Sequence, residues 1–76
     1  MKTDMSQDDR YSAAIRAALE RRDLTQTALA MRIGMPAGGW NRRMRGSTPW
    51  RAVELDDIAR ALDMTLAELL EQREGS

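Results

Sequence analysis

The sequence predicts an all-α fold, five short helices packed into one compact domain, and three observations carry that reading. No stretch alternates apolar and polar residues with period two, and strand formers are scarce: there is no Phe, Val53 is the sole valine, and Tyr11, Trp40 and Trp50 are the only aromatics. Ala, Leu, Arg, Glu and Met dominate, and all are strong helix formers. Apolar residues recur at steps of three and four in five separate places, divided by glycine, proline and capping residues.

The first helical stripe is Tyr11, Ala14, Ile15, Ala18 and Leu19, with Ser6 or Asp8 as N-cap. Residues 1–8 are expected to be a flexible terminal segment, and residues 9–72 the domain. Asp23-Leu24 reads as a short connection. Thr25 caps a second helix that buries Leu29, Ala30 and Ile33, and Gly34 ends it, because glycine enters the left-handed region cheaply. Pro36 suits the first turn of a third helix over Ala37 to Arg45, with Trp40 and Met44 on its inner face. Gly38 and Gly39 weaken the start of that helix by about 1 kcal/mol each relative to Ala, and Gly46 closes it. Ser47, Thr48 and Pro49 form a loop. A fourth helix, from about Ala52 to Leu62, turns Leu55, Ile58, Ala59 and Leu62 inward. Asp63-Met64 is a turn, and Thr65 with Glu68 makes a capping box for a fifth helix with Leu66, Leu69 and Leu70 on its apolar face. Residues 73–76 read as a flexible tail.

Several function classes are excluded by composition. The 76 residues include no cysteine and no histidine, which removes thiolate, disulfide and imidazole chemistry, and with them the usual metal ligands and general base. No phosphate-binding loop is present, so no enzyme, cofactor, metal or small-molecule ligand is expected. No run of 18 apolar residues and no signal peptide is found, so no membrane partner is expected and a bacterial host cytoplasm is the default location.

The net charge of zero conceals a segregation. Residues 1–20 carry a net of −1. Residues 21–53 hold seven arginines against Asp23 alone, a net of +6, and residues 54–76 hold seven acids against two arginines, a net of −5. A basic middle beside an acidic end suits one anionic partner on one face; a mixed, soluble surface is the alternative.

The stretch from Gln26 to Arg45 has the parts of a helix-turn-helix. Two helices that cross steeply through a tight turn need a small residue at the crossing, a turn residue free to take positive φ, and facing apolar stripes. Ala30, then Gly34 four residues on, then Leu29, Ile33, Met35 and Trp40 supply these.

On these residues the chain resembles the phage repressor/Cro-like, or Xre, helix-turn-helix family. The resemblance spans about Ile15 to Leu70. Its opening motif is Thr25-Gln26-x-x-Leu29-Ala30-x-x-Ile33-Gly34-Met35. The runs Arg42-Arg43-Met44-Arg45-Gly46, Pro49-Trp50 and Glu54-Leu55-x-x-Ile58-Ala59-x-x-Leu62 resemble the actinobacterial and actinophage branch. The resemblance implies a double-stranded DNA-binding transcriptional regulator, usually a dimer on a palindromic operator. The sequence departs from the family at Pro36-Ala37-Gly38-Gly39, where Ser, Arg, Gln or Thr are common, at Met44, where Glu is common, and at Arg43, where an apolar residue is common.

With Trp40 and Met44 inward, the outer face of the third helix carries Ala37, Gly38, Asn41, Arg42 and Arg45. In this motif the N-terminal part of the second helix enters the major groove. Arg pairs with guanine O6/N7 and Asn with adenine N6/N7, so Asn41 and Arg42 are the base-reading candidates, against the alternative of a solvated helix face. Ala37 can meet a thymine methyl, and Gly38 permits close approach. Gln26 resembles the family's phosphate-contacting Gln; Thr25, Arg45, Ser47, Thr48 and Arg51 flank the third helix and are further phosphate candidates. Arg43 is expected to reach Glu54 or face solvent, Trp40 to be core, and Trp50 to pack under the loop in preference to touching the DNA backbone. The last helix, through Met64, Leu66, Leu69 and Leu70, is the candidate homodimer surface. A protein-interaction module on the same fold, without specific DNA binding, is the alternative function.

Overall fold

A computed structural model describes residues 7–72. Residues 1–6 and 73–76, which include the candidate cap Ser6 and the expected tail, lie outside the described residues. Five helices follow in order: α1 (Gln7–Arg22), α2 (Gln26–Arg32), α3 (Ala37–Met44), α4 (Ala52–Ala61) and α5 (Leu66–Leu70). No strand occurs among the described residues, as the fold class predicts.

Four of the helices end in the same device. A residue one or two places past each takes positive φ: Asp23 at 55°, Gly34 at 74°, Gly46 at 84° and Asp63 at 58°. The next N–H then reaches back to a carbonyl five residues earlier, Leu24 to Leu19, Met35 to Ala30, Ser47 to Arg42 and Met64 to Ala59, at 2.9 to 3.0 Å. This satisfies carbonyls that a helix end leaves orphaned. Leu24, Met35 and Met64 pack against the core from these turns. Aspartate tolerates the left-handed region better than most non-glycine residues, which lets Asp23-Leu24-Thr25 and Asp63-Met64-Thr65 serve as equivalent corners. Each corner ends on a threonine cap: Ala28 N–H donates to Thr25 Oγ1 at 3.1 Å, and Glu68 N–H to Thr65 Oγ1 at 3.0 Å.

The core joins all five helices. Ile15, Ala18 and Leu19 of α1 meet Leu29 and Ala30, Trp40 and Met44, Leu55, Ile58, Ala59 and Leu62, and Leu69 of α5. Arg22 Nε donates to the Leu62 carbonyl at 2.7 Å, tying the end of α1 to the end of α4.

The structure corrects the sequence reading at several points. Gln7 and Asp8 belong to α1, so Asp8 is not its cap: its carboxylate accepts the Trp50 backbone N–H at 2.9 Å. Pro36 is the N-cap residue of α3, extended at ψ 149°, and Arg45 is its C-cap. Ile33 is only half-buried. Leu69 is 0% exposed within the single chain, because the short α5 is pressed against α1 and α4. A fully buried side chain is unavailable to a partner, so Leu69 belongs to the core and not to a dimer surface. Met64 and Leu66 are half-buried against the same core, which leaves Leu70, 43% exposed, as the large apolar residue that α5 presents.

Candidate nucleic-acid interface

The surface of interest is the outer side of α3. Its phase is set by two anchors one turn apart, Trp40 and Met44, both buried. Trp40 meets Trp50 edge-to-face, with ring centroids 5.4 Å apart and planes at 78°. This is the geometry that the aromatic quadrupole favours. Trp40 also donates its indole N–H to Gln26 Oε1 at 2.8 Å, linking α3 to the first residue of α2. With that face inward, Ala37, Gly38, Asn41, Arg42 and Arg45 are all exposed. Gly39 is buried, so the two adjacent glycines have different surroundings: one lies on the outer face and the other under it.

The flanks are arranged by main-chain bonds. The N–H groups of Ser47 and Thr48 both point back to the Arg42 carbonyl, at 2.9 and 3.3 Å, which folds the loop against the end of α3. Ser47 is exposed and Thr48 half-buried. Thr25, Gln26 and Arg51 are exposed, at the starts of α2 and α4. Thr25 Oγ1 is engaged as a cap acceptor, and Gln26 Oε1 is engaged by Trp40, which turns the amide N–H groups of Gln26 away from that bond. Arg32, Arg42, Arg45 and Arg51 are exposed, and none forms an ion pair among the described residues.

Arg43 has a different role. It is half-buried on the shoulder of α3, where Nε donates to Glu54 Oε1 at 3.0 Å, the pairing that the sequence suggested. Glu54 also accepts the Arg51 backbone N–H at 2.9 Å. This is one half of a capping box, because an arginine at the cap position has no acceptor to complete the other half.

A family model, described as the Cro/C1-type HTH DNA-binding domain, matches residues 14–73. The chain belongs to the Cro/C1-type helix-turn-helix DNA-binding family. No curated protein and no solved structure matches it. The family match covers all of α2 to α5 and most of α1.

Within this Cro/C1-type domain, sequence reasoning missed two residues that hold α3 and its flank in place. Ser12 is buried on α1; its hydroxyl accepts the Trp50 indole N–H at 3.1 Å and donates to the Arg43 carbonyl at 3.3 Å. Its place three residues before Ile15 and seven before Leu19, on the apolar stripe, was the available signal. Asp8 fixes the Trp50 backbone. Met31 of α2 is 75% exposed. No helix is long and apolar enough to cross a membrane among the described residues.

Proposed function

We propose that the chain is a sequence-specific transcriptional regulator of Cro or repressor type, from a phage or mobile element, that lays α3 in the major groove of a palindromic operator. The observation that carries this reading is the exposed face Ala37, Gly38, Asn41, Arg42 and Arg45 of α3, flanked by arginines that pair with no acid among the described residues. Asn41 and Arg42 read base edges, as adenine and guanine partners. Ala37 and Gly38 allow the helix start to approach the groove. Thr25, Gln26, Arg45, Ser47, Thr48 and Arg51 bind phosphates and set register. The actinophage assignment rests on the runs Arg42 to Gly46, Pro49-Trp50 and Glu54 to Leu62.

The operator is bound as a homodimer. Two or three base-reading side chains at about 1–3 kcal/mol each reach only the low end of the roughly 4–10 kcal/mol that separates specific from non-specific binding. Duplication across a two-fold axis, with recognition helices about 34–36 Å apart, closes the gap. Leu70, with Met64 and Leu66 at its edge, is the apolar surface of α5 left for that axis.

Selection of bound sequences from random duplex DNA tests the reading. The expected result is a two-fold symmetric consensus; recovery of no consensus refutes it. A second reading, a protein-interaction module, is favoured by the exposed Met31 beside a cleft of about 250 Å³ that Thr27, Ala37 and Asn41 also line. Salt-dependent retention on DNA separates the two, since counterion release accompanies phosphate binding alone.

A further inference from the structure

Arg43 is the one arginine of α3 that faces into the domain, and its bonds join that helix to α1 and α4. Its side chain is 17% exposed and that of its partner Glu54 is 14% exposed. Nε donates to Glu54 at the start of α4, and Nη1 donates to the Gly39 carbonyl at 3.0 Å, one turn earlier in α3. The Arg43 carbonyl accepts from Ser12 of α1, and Ser12 in turn holds the Trp50 indole. α3 is thereby tied to α1, to the loop before α4 and to α4 itself through a single residue.

Two features distinguish this from an ordinary surface pair. The guanidinium is a rigid planar fork, so Nε and Nη1 cannot be aimed independently. Meeting Glu54 and the Gly39 carbonyl together fixes the turn 39–43 of α3 relative to the first turn of α4. A side chain at Gly39 would also crowd the fork: a Cβ there would stand 3.1 Å from Arg43 Nη1, so the guanidinium would have to give by a few tenths of an ångström. The buried glycine and the inward arginine are therefore matched parts. Gly38, by contrast, would place a Cβ 3.5 Å from Arg42 Nη1, an ordinary contact.

We infer that Arg43, with Glu54 and Gly39, is a positioning element for base recognition: it sets the angle at which α3 presents Asn41 and Arg42 to the groove. The inference rests on the DNA-binding reading above. Arg43 touches no base. It acts through the helix that carries the readers, its immediate neighbours in sequence. Hydrogen bonds to base edges weaken steeply with misalignment, whereas phosphate contacts from exposed arginines re-form over a range of poses. Loosening the fork therefore lowers affinity for the preferred site and leaves affinity for unrelated DNA in place. A residue that merely stabilised the fold would lower both together.

The test takes the wild-type consensus from selection, then titrates that site, its single-base variants and an unrelated duplex at one salt concentration, beside a thermal melt. The main variant pairs Arg43→Met with Glu54→Gln. It removes the fork, keeps net charge unchanged, and leaves an amide oxygen to accept the Arg51 N–H. Its preference for the consensus over the unrelated duplex is expected to fall by about tenfold, the scale of one base contact, with affinity for the unrelated duplex nearly unchanged. Arg43→Lys, which keeps the charge but not the fork, should shift preference the same way by less, and it carries the test if the paired variant is unfolded at the assay temperature. Unchanged preference in a folded variant, or an equal loss on both duplexes, overturns the inference. A wild type that selects no sequence refutes the DNA-binding reading itself and is seen before any variant is made.

Discussion

In residues 21–53 seven arginines face one acid; in residues 54–76 seven acids face two arginines. Of the acids described in the second region, Asp56, Asp57 and Glu68 are engaged within it, and Glu54 reaches back to the first. Glu54 holds Arg43 and the Arg51 N–H, Glu68 accepts the Thr65 N–H at 2.8 Å, and Asp56 and Asp57 both face Arg60 across one turn. The arginines of the first region divide. Arg21 reaches Gln72, Arg22 holds the end of α4 and Arg43 holds α3. Arg32, Arg42, Arg45 and Arg51 stay exposed and form no ion pair among the described residues. The difference shows why a net charge of zero says little about binding: an acid already paired by its own region does not neutralise a basic surface elsewhere, and salt screens the remainder beyond about 10 Å.

The sharpest way to break the comparison is at the acidic end, on neighbouring leucines. Leu69→Glu places an unpaired charge in the core and should cost at least about 3 kcal/mol, a large share of the stability of a domain this small. A melt without a cooperative transition is expected. Leu70→Glu, on the exposed side of the same helix, should melt like the wild type while binding the full operator more weakly and a half-site unchanged. A destabilised Leu70→Glu would show that α5 is packed on both sides, which contradicts its 43% exposure.

In the basic region, Arg42→Ala should weaken specific binding by roughly 1–3 kcal/mol and relax one base position. Repeating the selection with the variant checks this. Retained affinity with an unchanged consensus would remove Arg42 from the readers.

How far the molecule was legible from its sequence follows the same division. Helix existence, the caps Thr25 and Thr65 and the inward residues Trp40, Met44, Leu55, Ile58 and Leu62 follow from periodicity and local hydrogen bonding, because those interactions are close in sequence. The outer face of α3 follows as soon as its two anchors are phased. The misses at Ser12 and Asp8 are long-range, and those at the ends of α3 and in α5 are local. Ser12 needs Trp50 and Arg43 brought to it, 38 and 31 residues away. Asp8 is a helix-cap type by composition and becomes a partner for Trp50 only in three dimensions. Leu69 and Leu70 are both apolar and adjacent, and a five-residue helix has too few turns to reveal which one faces inward. Arg43 was the exception: its acid partner, 11 residues on, is the first carboxylate after a long basic run.

Arg45→Ala and Arg51→Ala should lower affinity about equally on all sequences, and each should reduce the slope of log affinity against log salt by about one. Titrations of an unrelated duplex at several salt concentrations measure it. Unchanged slopes in both would remove these residues from the phosphate contacts.

The smallest expected effect is the most discriminating. Arg60→Ala removes the same single positive charge as Arg45→Ala, so the two variants have equal net charge. If binding responded to total charge, their salt slopes would fall alike. Arg60, however, lies on α4 against Asp56 and Asp57, with its guanidinium held charged first by the hydrogen bond it donates to Asp56 and then by the field of the same carboxylate. No phosphate is placed there by the pose that puts α3 in the groove. The salt slope of Arg60→Ala should therefore match the wild type, while the two newly unpaired aspartates change only the local surface. A slope reduced by about one, as for a phosphate contact, would mean that DNA reaches the acidic end. α3 would then not be the centre of the interface, and the division between the two regions would not be functional.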